Sequence, residues 1–558
     1  MTATAATTTT QDPAAKPAAP GAWSPLKRPV FRALWIATLI SNIGTWMHDV
    51  GAAWMMTTLS PSPLMVALVQ AATTLPVFLL ALPSGVLADI FDRRTFLLWA
   101  QIFGTVATAG LALAALFGMV TPAVLLVFTF LIGISAAASA PAFQAIVPEL
   151  VPKEELPPAV ALNSLSINVS RAIGPALGGL IVAASGPAAV FALNALSFLA
   201  VIAVVWAWKR EAKPSRLPRE HFLGAMRTGL RYVREAPDFR RVLVRALGFF
   251  LFASAVWALL PVVARDRLGL DATGYGVLLA VLGAGAVTGA LVLPTLRRSV
   301  SNNTLSIAAT VLFAGVAATL ALARDPLLAG AALAVAGACW ITVLSSFHVA
   351  AQTALPGWVK ARGLSVFLVV FFGSMSAGSA LWGWTAGSMG LPAALLAAAA
   401  GQLLGLLVAP WNPLRPADAG DHAPSAHWPQ PLVHAEPDLD RGPVLVTVEY
   451  AVPTVNTAPW LALMAALKRS RLRGGALTWA VYEDAARPGR WLETFVTESW
   501  VEHLRQHDRV TQADKALQER VRALCDPGST PRVDHFLGPA ATPDGVPPKP
   551  DTAGKAGP

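Results

Sequence analysis

Two charged spots inside apolar sequence raise the first question of chemistry. His48 and Asp49 lie side by side in a greasy run at 31–56, and Arg171 stands alone in another at 159–184. Charge in hydrocarbon is expensive, so such residues mark an ion pathway, a proton relay or a buried pair. Asn42 and Asp49 are seven residues apart and share one helix face, as do Ser164, Asn168, Arg171 and Pro175. Counted from the same membrane side at 1.5 Å per residue, Arg171 lies about 18 Å into its run and Asp49 about 27 Å. Three readings stay open. Asp49 is a proton carrier whose pKa Arg171 lowers; or the two form a structural pair; or Asp49 sits near the water interface without a role. His48 is either an accessory proton group or a packing histidine. Asn42, Asn168 and Trp257 are candidates to line a substrate cavity, with Trp340, Trp382 and Trp384 as further aromatic surface. His348 reads as structural.

These residues need helices that cross a membrane. The 558 residues are 55% hydrophobic and 13% charged, about half the charge of a soluble domain. Runs long enough to span a bilayer fall at 31–56, 64–88, 95–118, 122–146, 159–184, 187–208, 242–264, 274–296, 304–323, 326–350, 361–386 and 390–410, twelve in all. Lys27, Arg28, Arg32, Arg93, Arg94, the basic cluster after 208, Arg297, Arg298, Lys360 and Arg362 lie on one side, which places both termini in the cytoplasm by the positive-inside rule. The net charge of +10 belongs to those membrane flanks and to anionic lipid, so no nucleic-acid partner is expected. The two cysteines, Cys339 and Cys525, are not partners and suggest neither a disulfide nor a metal site. No phosphate-binding loop of the Gly-rich, Lys-Ser/Thr type is present, which disfavours ATP-driven pumping. No cofactor is expected.

The membrane region repeats itself. Pro29-Val30-Phe31-Arg32 returns as Pro237-Asp238-Phe239-Arg240, and Gln144-Ala145-Ile146-Val147-Pro148 as Gln352-Thr353-Ala354-Leu355-Pro356, both shifted by 208. Gly85-Val86-Leu87 with Arg93-Arg94 returns as Gly289-Ala290-Leu291 with Arg297-Arg298, shifted by 204. Two similar six-helix halves suit alternating access about a shared site. The expected order is a disordered tail at 1–24, a six-helix bundle at 25–208, a cytoplasmic linker with an amphipathic helix at 209–240, a second bundle at 241–410, a Pro-rich linker at 411–442, a soluble domain at 443–537 and a disordered tail at 538–558.

Gly85-Val86-Leu87-Ala88-Asp89-Ile90-Phe91-Asp92-Arg93-Arg94 resembles the signature loop of the major facilitator superfamily, with departures at Ile90 and Asp92. The resemblance implies an all-α membrane fold of two pseudo-symmetric bundles and a latch that closes the inner gate. Gly85, Asp89, Asp92, Arg93 and Arg94 would form that gating loop; the second copy has Leu293 in place of the Asp. Gly174-Pro175-Ala176-Leu177-Gly178-Gly179 is similar to the helix motif of proton-exchanging exporters in that superfamily. Gly44-Thr45-Trp46-Met47 through Trp54, with Ser60-Pro61-Ser62-Pro63, resembles its enterobactin-exporter branch. These resemblances imply an antiporter that exports a small amphipathic molecule, with protons and the bilayer as its other partners. Uptake is an alternative.

The segment 443–537 reads β-α-β-β-α with a closing strand, an α+β ferredoxin-like order. Gly475-Ala476-Leu477-Thr478-Trp479, Glu493-Thr494-Phe495 and Glu498 to Leu504 resemble antibiotic-biosynthesis-monooxygenase-like domains, which are dimeric α+β barrels and include haem-binding oxygenases. That implies a homodimer through this domain as an option, and His503 and His507 as the only obvious catalytic candidates. Fold alone confers no activity, so a folding, dimerising or sensing module is expected here rather than an enzyme; a membrane-tethered oxidoreductase or sensor is the alternative of another class.

Overall fold

The computed structural model describes residues 21–209, 232–414 and 437–539, together with Ala423, Ser425, 427–429 and Pro431. The amphipathic helix expected within 209–240 and the expected terminal tails therefore fall largely outside the described residues.

Among the described residues, twelve helices build the membrane body: α1 Pro29–Leu59, α2 Pro63–Ile90, α3 Arg93–Leu116, α4 Pro122–Leu150, α5 Leu156–Ser185, α6 Pro187–Ala207, α7 Pro237–Val262, α8 Ala272–Leu296, α9 Asn302–Leu322, α10 Pro326–Thr353, α11 Lys360–Met389 and α12 Leu391–Gly405. Their starts are written in the sequence. Proline fills the first turn of α1, α4, α6, α7, α10 and α12, where its missing N–H is not needed. Asp92, Thr121, Ser301 and Asp325 cap α3, α4, α9 and α10 through their side chains. Gly186 (φ 78°) closes α5 and opens α6, and Gly390 (φ 88°) does the same for α11 and α12. Both junctions need a left-handed residue, and they too are 204 positions apart.

Eleven helices among the described residues are long and apolar enough to cross a bilayer. The first, Pro29–Leu59, has ample length at 31 residues but falls short in hydropathy, because it carries Asn42, His48 and Asp49. Large apolar side chains such as Trp99, Leu116, Phe117, Trp206, Leu291 and Leu327 stand exposed on the helices, a surface made for lipid.

The chain divides into two compact units that do not coincide with the sequence halves 25–208 and 241–410. One comprises residues 1–60, 83–212 and 269–283; the other, residues 61–82, 213–268 and 284–558. Within the first unit the opening part of α8 packs on α5, with Gly276 against the Pro175 carbonyl. Within the second, the opening part of α2 packs on α11, with Ala67 against Gly383 and the Ala71 carbonyl near Ser376.

The terminal domain belongs to the second unit. It runs β1 Val444–Ala451, α13 Thr457–Gly474, β2 Thr478–Glu483, β3 Arg490–Thr497, α14 Trp500–Arg509, α15 Gln512–Arg522 and β4 Arg532–Leu537. The strands form one antiparallel sheet in the order β2-β3-β1-β4, with Val446 opposite Phe495 on one side and His535 on the other. This is the ferredoxin-like arrangement that the β-α-β-β-α order implies. Alternation along β1 turns Val444, Val446, Val448 and Tyr450 toward Trp460, Met464, Leu467 and Trp500, a core of a few large apolar groups. Part of the Pro-rich linker is packed onto this domain: Ser425 N–H donates to Val510 (2.9 Å), Gln512 N–H to Ala423 (3.0 Å) and the Trp428 indole to Gln518 (3.0 Å).

Candidate transport site

The register of α5 on α1 decides what Arg171 can reach. The Trp35 indole donates to the Leu162 carbonyl (2.9 Å) and the Ser170 hydroxyl to the Leu39 carbonyl (3.4 Å). Further along, Gly174 lies against Trp46 and Ile43, and Gly178 against Met47 and Val50. The two helices thus run side by side with partners roughly 130 positions apart, which puts Arg171 level with Asn42 and Asp49 level with Gly178. The offset between Asp49 and Arg171 is seven residues, about 10 Å along the helix. Of the three readings, the two that bring Asp49 and Arg171 into contact are not met in this register, which leaves the gap between them open. Arg171 instead lies over the Trp46 ring at 5.8 Å, its Nε buried without an acceptor.

Asp49 is half-buried and makes no hydrogen bond or ion pair among the described residues. Its carboxylate lies within electrostatic reach of the Tyr275 side chain on α8, whose ring stacks on Trp54 at 6.0 Å. His48 is 2% exposed and packs against Phe191 at 4.7 Å, with neither ring nitrogen bonded. A histidine kept only for packing would ordinarily find a partner for its N–H. Asn168 spends its amide on the Ser164 carbonyl of its own helix (2.9 Å).

The loop between α2 and α3 is tied down by its arginines. Arg94 donates from Nε to the Val205 carbonyl (2.9 Å) and from Nη2 to the Trp206 carbonyl (2.6 Å). Those carbonyls end α6 and have no partner within the helix, so a guanidinium there serves both hydrogen bonding and dipole. Arg93 reaches the Ala145 carbonyl (3.4 Å) and Glu149 (3.0 Å) at the end of α4. Asp92, where the superfamily commonly has glycine, accepts from the Thr95 N–H at 2.9 Å and so starts α3. The second copy keeps the geometry: Arg297 donates to Ser345 on α10 at 2.9 Å. Glu149 has no signal in the sequence beyond its place directly after Pro148 of the repeat. Arg245 was missed as well. It is 4% exposed in α7 and donates to Asn303 (3.1 Å) and Ser306 (3.0 Å); a lone arginine inside the 242–264 run was the clue.

The Gly174–Gly179 motif separates two neighbours. Gly174 and Gly178 face α1, whereas Gly179 faces α8, where a Cβ on Gly179 would come within 2.5 Å of the Ala272 carbonyl oxygen. A Cβ on Gly283 would likewise come within 2.7 Å of the Arg171 carbonyl oxygen. Glycine is what allows backbones this close.

Trp257 joins an aromatic cluster in the second unit. Its ring centroid is 5.1 Å from Trp340, which packs in turn against Phe249, Phe250, Phe313 and Phe371. The Trp257 indole N–H is buried and unpaired. The other tryptophans part company: Trp382 donates to the Leu251 carbonyl (2.8 Å), and Trp384 is 60% exposed. His348 packs edge-on to Phe367.

In the terminal domain the Glu493 carboxylate is fully buried and saturated. It accepts from Arg471 Nε (2.9 Å) and Nη2 (3.2 Å), the Trp479 indole (2.9 Å) and the Tyr450 hydroxyl (2.9 Å). Burial alone would raise its pKa; the Arg471 guanidinium and these hydrogen bonds outweigh burial and hold it below the usual carboxylate value. His503 and His507 lie side by side on α14. The domain also docks on the membrane body. Arg509 lies over the Trp358 ring at 4.5 Å and Arg473 over Tyr232 at 5.9 Å, while Tyr232 and Trp358 meet edge to face at 5.6 Å. Trp358 is in the connector from α10 to α11.

Helices long and apolar enough to cross a bilayer, eleven among the described residues, together with the family match that follows, mark a transporter of the major facilitator superfamily. The chain belongs to the transmembrane secretion effector family, whose profile matches residues 20–543 and so runs through the terminal domain. It is similar to an uncharacterised transporter of this superfamily from Bacillus subtilis, YfiS, at 27% identity over 354 residues, covering 59% of this chain and 82% of that protein. It is also similar to the enterobactin exporter EntS of Escherichia coli, at 29% identity over 285 residues, covering 51% and 67%. Among solved structures, a POT family transporter bound to a thioalcohol-conjugated peptide superposes with a TM-score of 0.58 at 13% identity, covering 69% of this chain and 96% of that one. A bacterial homologue of the human lysosomal transporter Spinster, inward-facing and occupied, gives 0.56 at 15%, covering 70% and 97%. At these identities the two structures speak for the fold alone.

Proposed function

We propose that this transporter exports a small amphipathic molecule, of the siderophore, drug or secondary-metabolite kind, across the cytoplasmic membrane in exchange for protons. One observation carries the reading: Asp49 is a half-buried carboxylate on a membrane helix with no ion pair or hydrogen bond. An unpartnered carboxylate at membrane depth is costly unless its protonation does work. Asp49 takes up and releases the proton, with the unbonded His48 beside it as an accessory. In the first unit Arg171 and Asn42, level with each other, and Asn168 contribute to substrate binding; in the second unit Trp257 does so by itself. The Gly85–Arg94 loop, with Asp89, Asp92, Arg93 and Arg94, latches the cytoplasmic side, and Gly174, Pro175, Gly178 and Gly179 hold α5 close to its neighbours. Both termini lie in the cytoplasm, in keeping with the basic flanks. The similarity to an enterobactin exporter supports export over uptake.

The test is efflux activity read as accumulation of a fluorescent dye and of a catecholate siderophore inside everted vesicles, whose lumen corresponds to the cell exterior, with and without a proton gradient. Wild type drives efflux only with the gradient, and Asp49→Asn loses it. Gradient-driven efflux in Asp49→Asn at the wild-type rate overturns the coupling role.

The terminal domain associates with a second copy through the sheet face turned away from its helices. Leu445 is paired with Phe536 across the ladder, and Tyr482 with Leu492. These four side chains stand 37–58% exposed, an apolar face left uncovered within one chain.

A further inference from the structure

Outside the membrane the structure gathers three histidines that no transport step uses. His503 and His507 are four residues apart on α14 and share a face. His535 comes from β4, carried to them by the pairing of β4 with β1. One nitrogen from each ring lies within 4.8 Å of the other two. The Nε2 atoms of His503 and His507 are 3.3 Å apart, and the His535 ring centroid is 4.7 Å from that of His503.

We propose that His503, His507 and His535 bind a divalent transition-metal ion of the zinc class. Imidazole nitrogens about 2.05 Å from a tetrahedral zinc are about 3.3 Å from one another, the separation that His503 and His507 already have. With His535, whose nitrogen lies within 4.8 Å of the other two, three corners are supplied, and the fourth is left to water or an exogenous ligand. The surroundings suit the role. His503 is 1% exposed, its Nδ1 has no partner, and among the described residues its ring makes one polar contact, to His507. Trp500 walls the cluster at 5.4 Å from His503, and Trp428 at 4.9 Å from His507. The nearest cation, Arg471, is spent on Glu493, while Asp508 and Asp534 flank His507 and His535 in sequence. Burial first, then repulsion from neighbouring histidines and Arg471, pushes His503 down to about 3; burial, His535 and Arg471 push His507 down to about 4. A neutral imidazole offers its lone pair to a metal with no proton to displace. Three imidazoles without thiolates fit zinc, copper or nickel rather than magnesium or calcium.

The test uses the full-length protein in detergent, stripped with a chelator and dialysed. Zinc alone is titrated with a competing indicator, and cobalt(II) serves as a spectroscopic stand-in whose visible bands report four-coordinate nitrogen ligation. Wild type takes up one zinc per chain, unfolds at a higher temperature when loaded, and shows the tetrahedral cobalt spectrum. His507→Gln and His535→Gln each weaken zinc by more than about 100-fold, beyond what loss of a merely supporting partner costs, whereas His427→Gln binds as wild type does. Both variants must keep the metal-free unfolding temperature of the wild type, so that lost binding is not lost folding. If either variant is misfolded, the wild-type stoichiometry and cobalt spectrum decide alone. Failure of the wild type to bind one zinc, an octahedral cobalt spectrum, or unchanged affinity in folded His507→Gln and His535→Gln overturns the proposal. In that case the pair at 3.3 Å is a hydrogen bond between neutral imidazoles.

Discussion

Gly179→Ala puts one methyl group where α5 meets α8. The new Cβ would lie 2.5 Å from the Ala272 carbonyl oxygen and 2.9 Å from Gly276 Cα, whereas ordinary contact begins at 3.4 Å. The helices must part locally by about 0.9 Å, because the obstacles are backbone atoms that cannot rotate away. Overpacking of this kind costs about 1–3 kcal/mol, which depletes the close-packed arrangement by about 5- to 150-fold relative to any in which the two helices separate. A transporter that must pass through this arrangement in every cycle slows accordingly. The measurement is efflux activity, read as dye accumulation inside everted vesicles, alongside thermal unfolding in detergent. Gly315→Ala and Gly387→Ala are the controls, since a Cβ at either meets nothing within 4 Å. Gly276→Ala produces a similar defect, its Cβ being 2.6 Å from the Pro175 oxygen. The double variant adds less than the sum, because one separation relieves both clashes. Efflux and unfolding in Gly179→Ala equal to those in Gly315→Ala would refute the reasoning.

Arg471→Met leaves the Glu493 carboxylate buried with only Trp479 and Tyr450 as donors, a loss of about 3–5 kcal/mol. At about 4–8 °C per kcal/mol for a domain of this size, the terminal domain unfolds more than about 10 °C lower by tryptophan fluorescence, and the Arg471→Met/Glu493→Leu pair recovers much of it. Glu493 has its folded-state pKa below the unfolded value; its contribution is therefore present above pH 4.5 and is lost as pH falls through the folded value. Acid unfolding of Glu493→Gln lacks that component in a pH series. Phe536→Glu places a charge on the uncovered sheet face and shifts the protein toward monomer by light scattering in detergent. Arg509→Ala removes the cation over Trp358, a contact worth about 0.5–2 kcal/mol, together with the bonds of Arg509 to Glu502 and to the Gly474 carbonyl, and lowers the unfolding temperature of the terminal domain by tryptophan fluorescence.

Hydropathy and proline placement made the helices legible, because lipid imposes a length and an apolar composition that sequence must state openly. The ferredoxin-like order was equally readable from the alternation in Val444–Tyr450 and the helical spacing of Leu461, Met464 and Leu467. What sequence could not supply was register. The counted depths already set Asp49 about 9 Å beyond Arg171; whether tilt closes that gap waits on the bonds from Trp35 and Ser170 to α5 and α1 carbonyls, which keep it at about 10 Å. The histidine cluster was half legible. His503 and His507 announce themselves by spacing, but His535 follows 28 positions after His507 and arrives only through strand pairing. The compact units escaped notice for the same reason, since the packing of α2 on α11 and of α8 on α5 links segments far apart in the chain.

Arg509 holds Trp358, and Trp358 sits on the six-residue link, 354–359, that joins α10 to α11. A short link under such a grip transmits displacement rather than absorbing it. Whatever clamps, swells or loosens the terminal domain thus pulls on two membrane helices at once, and a soluble event at the end of the chain acquires leverage on the speed of transport.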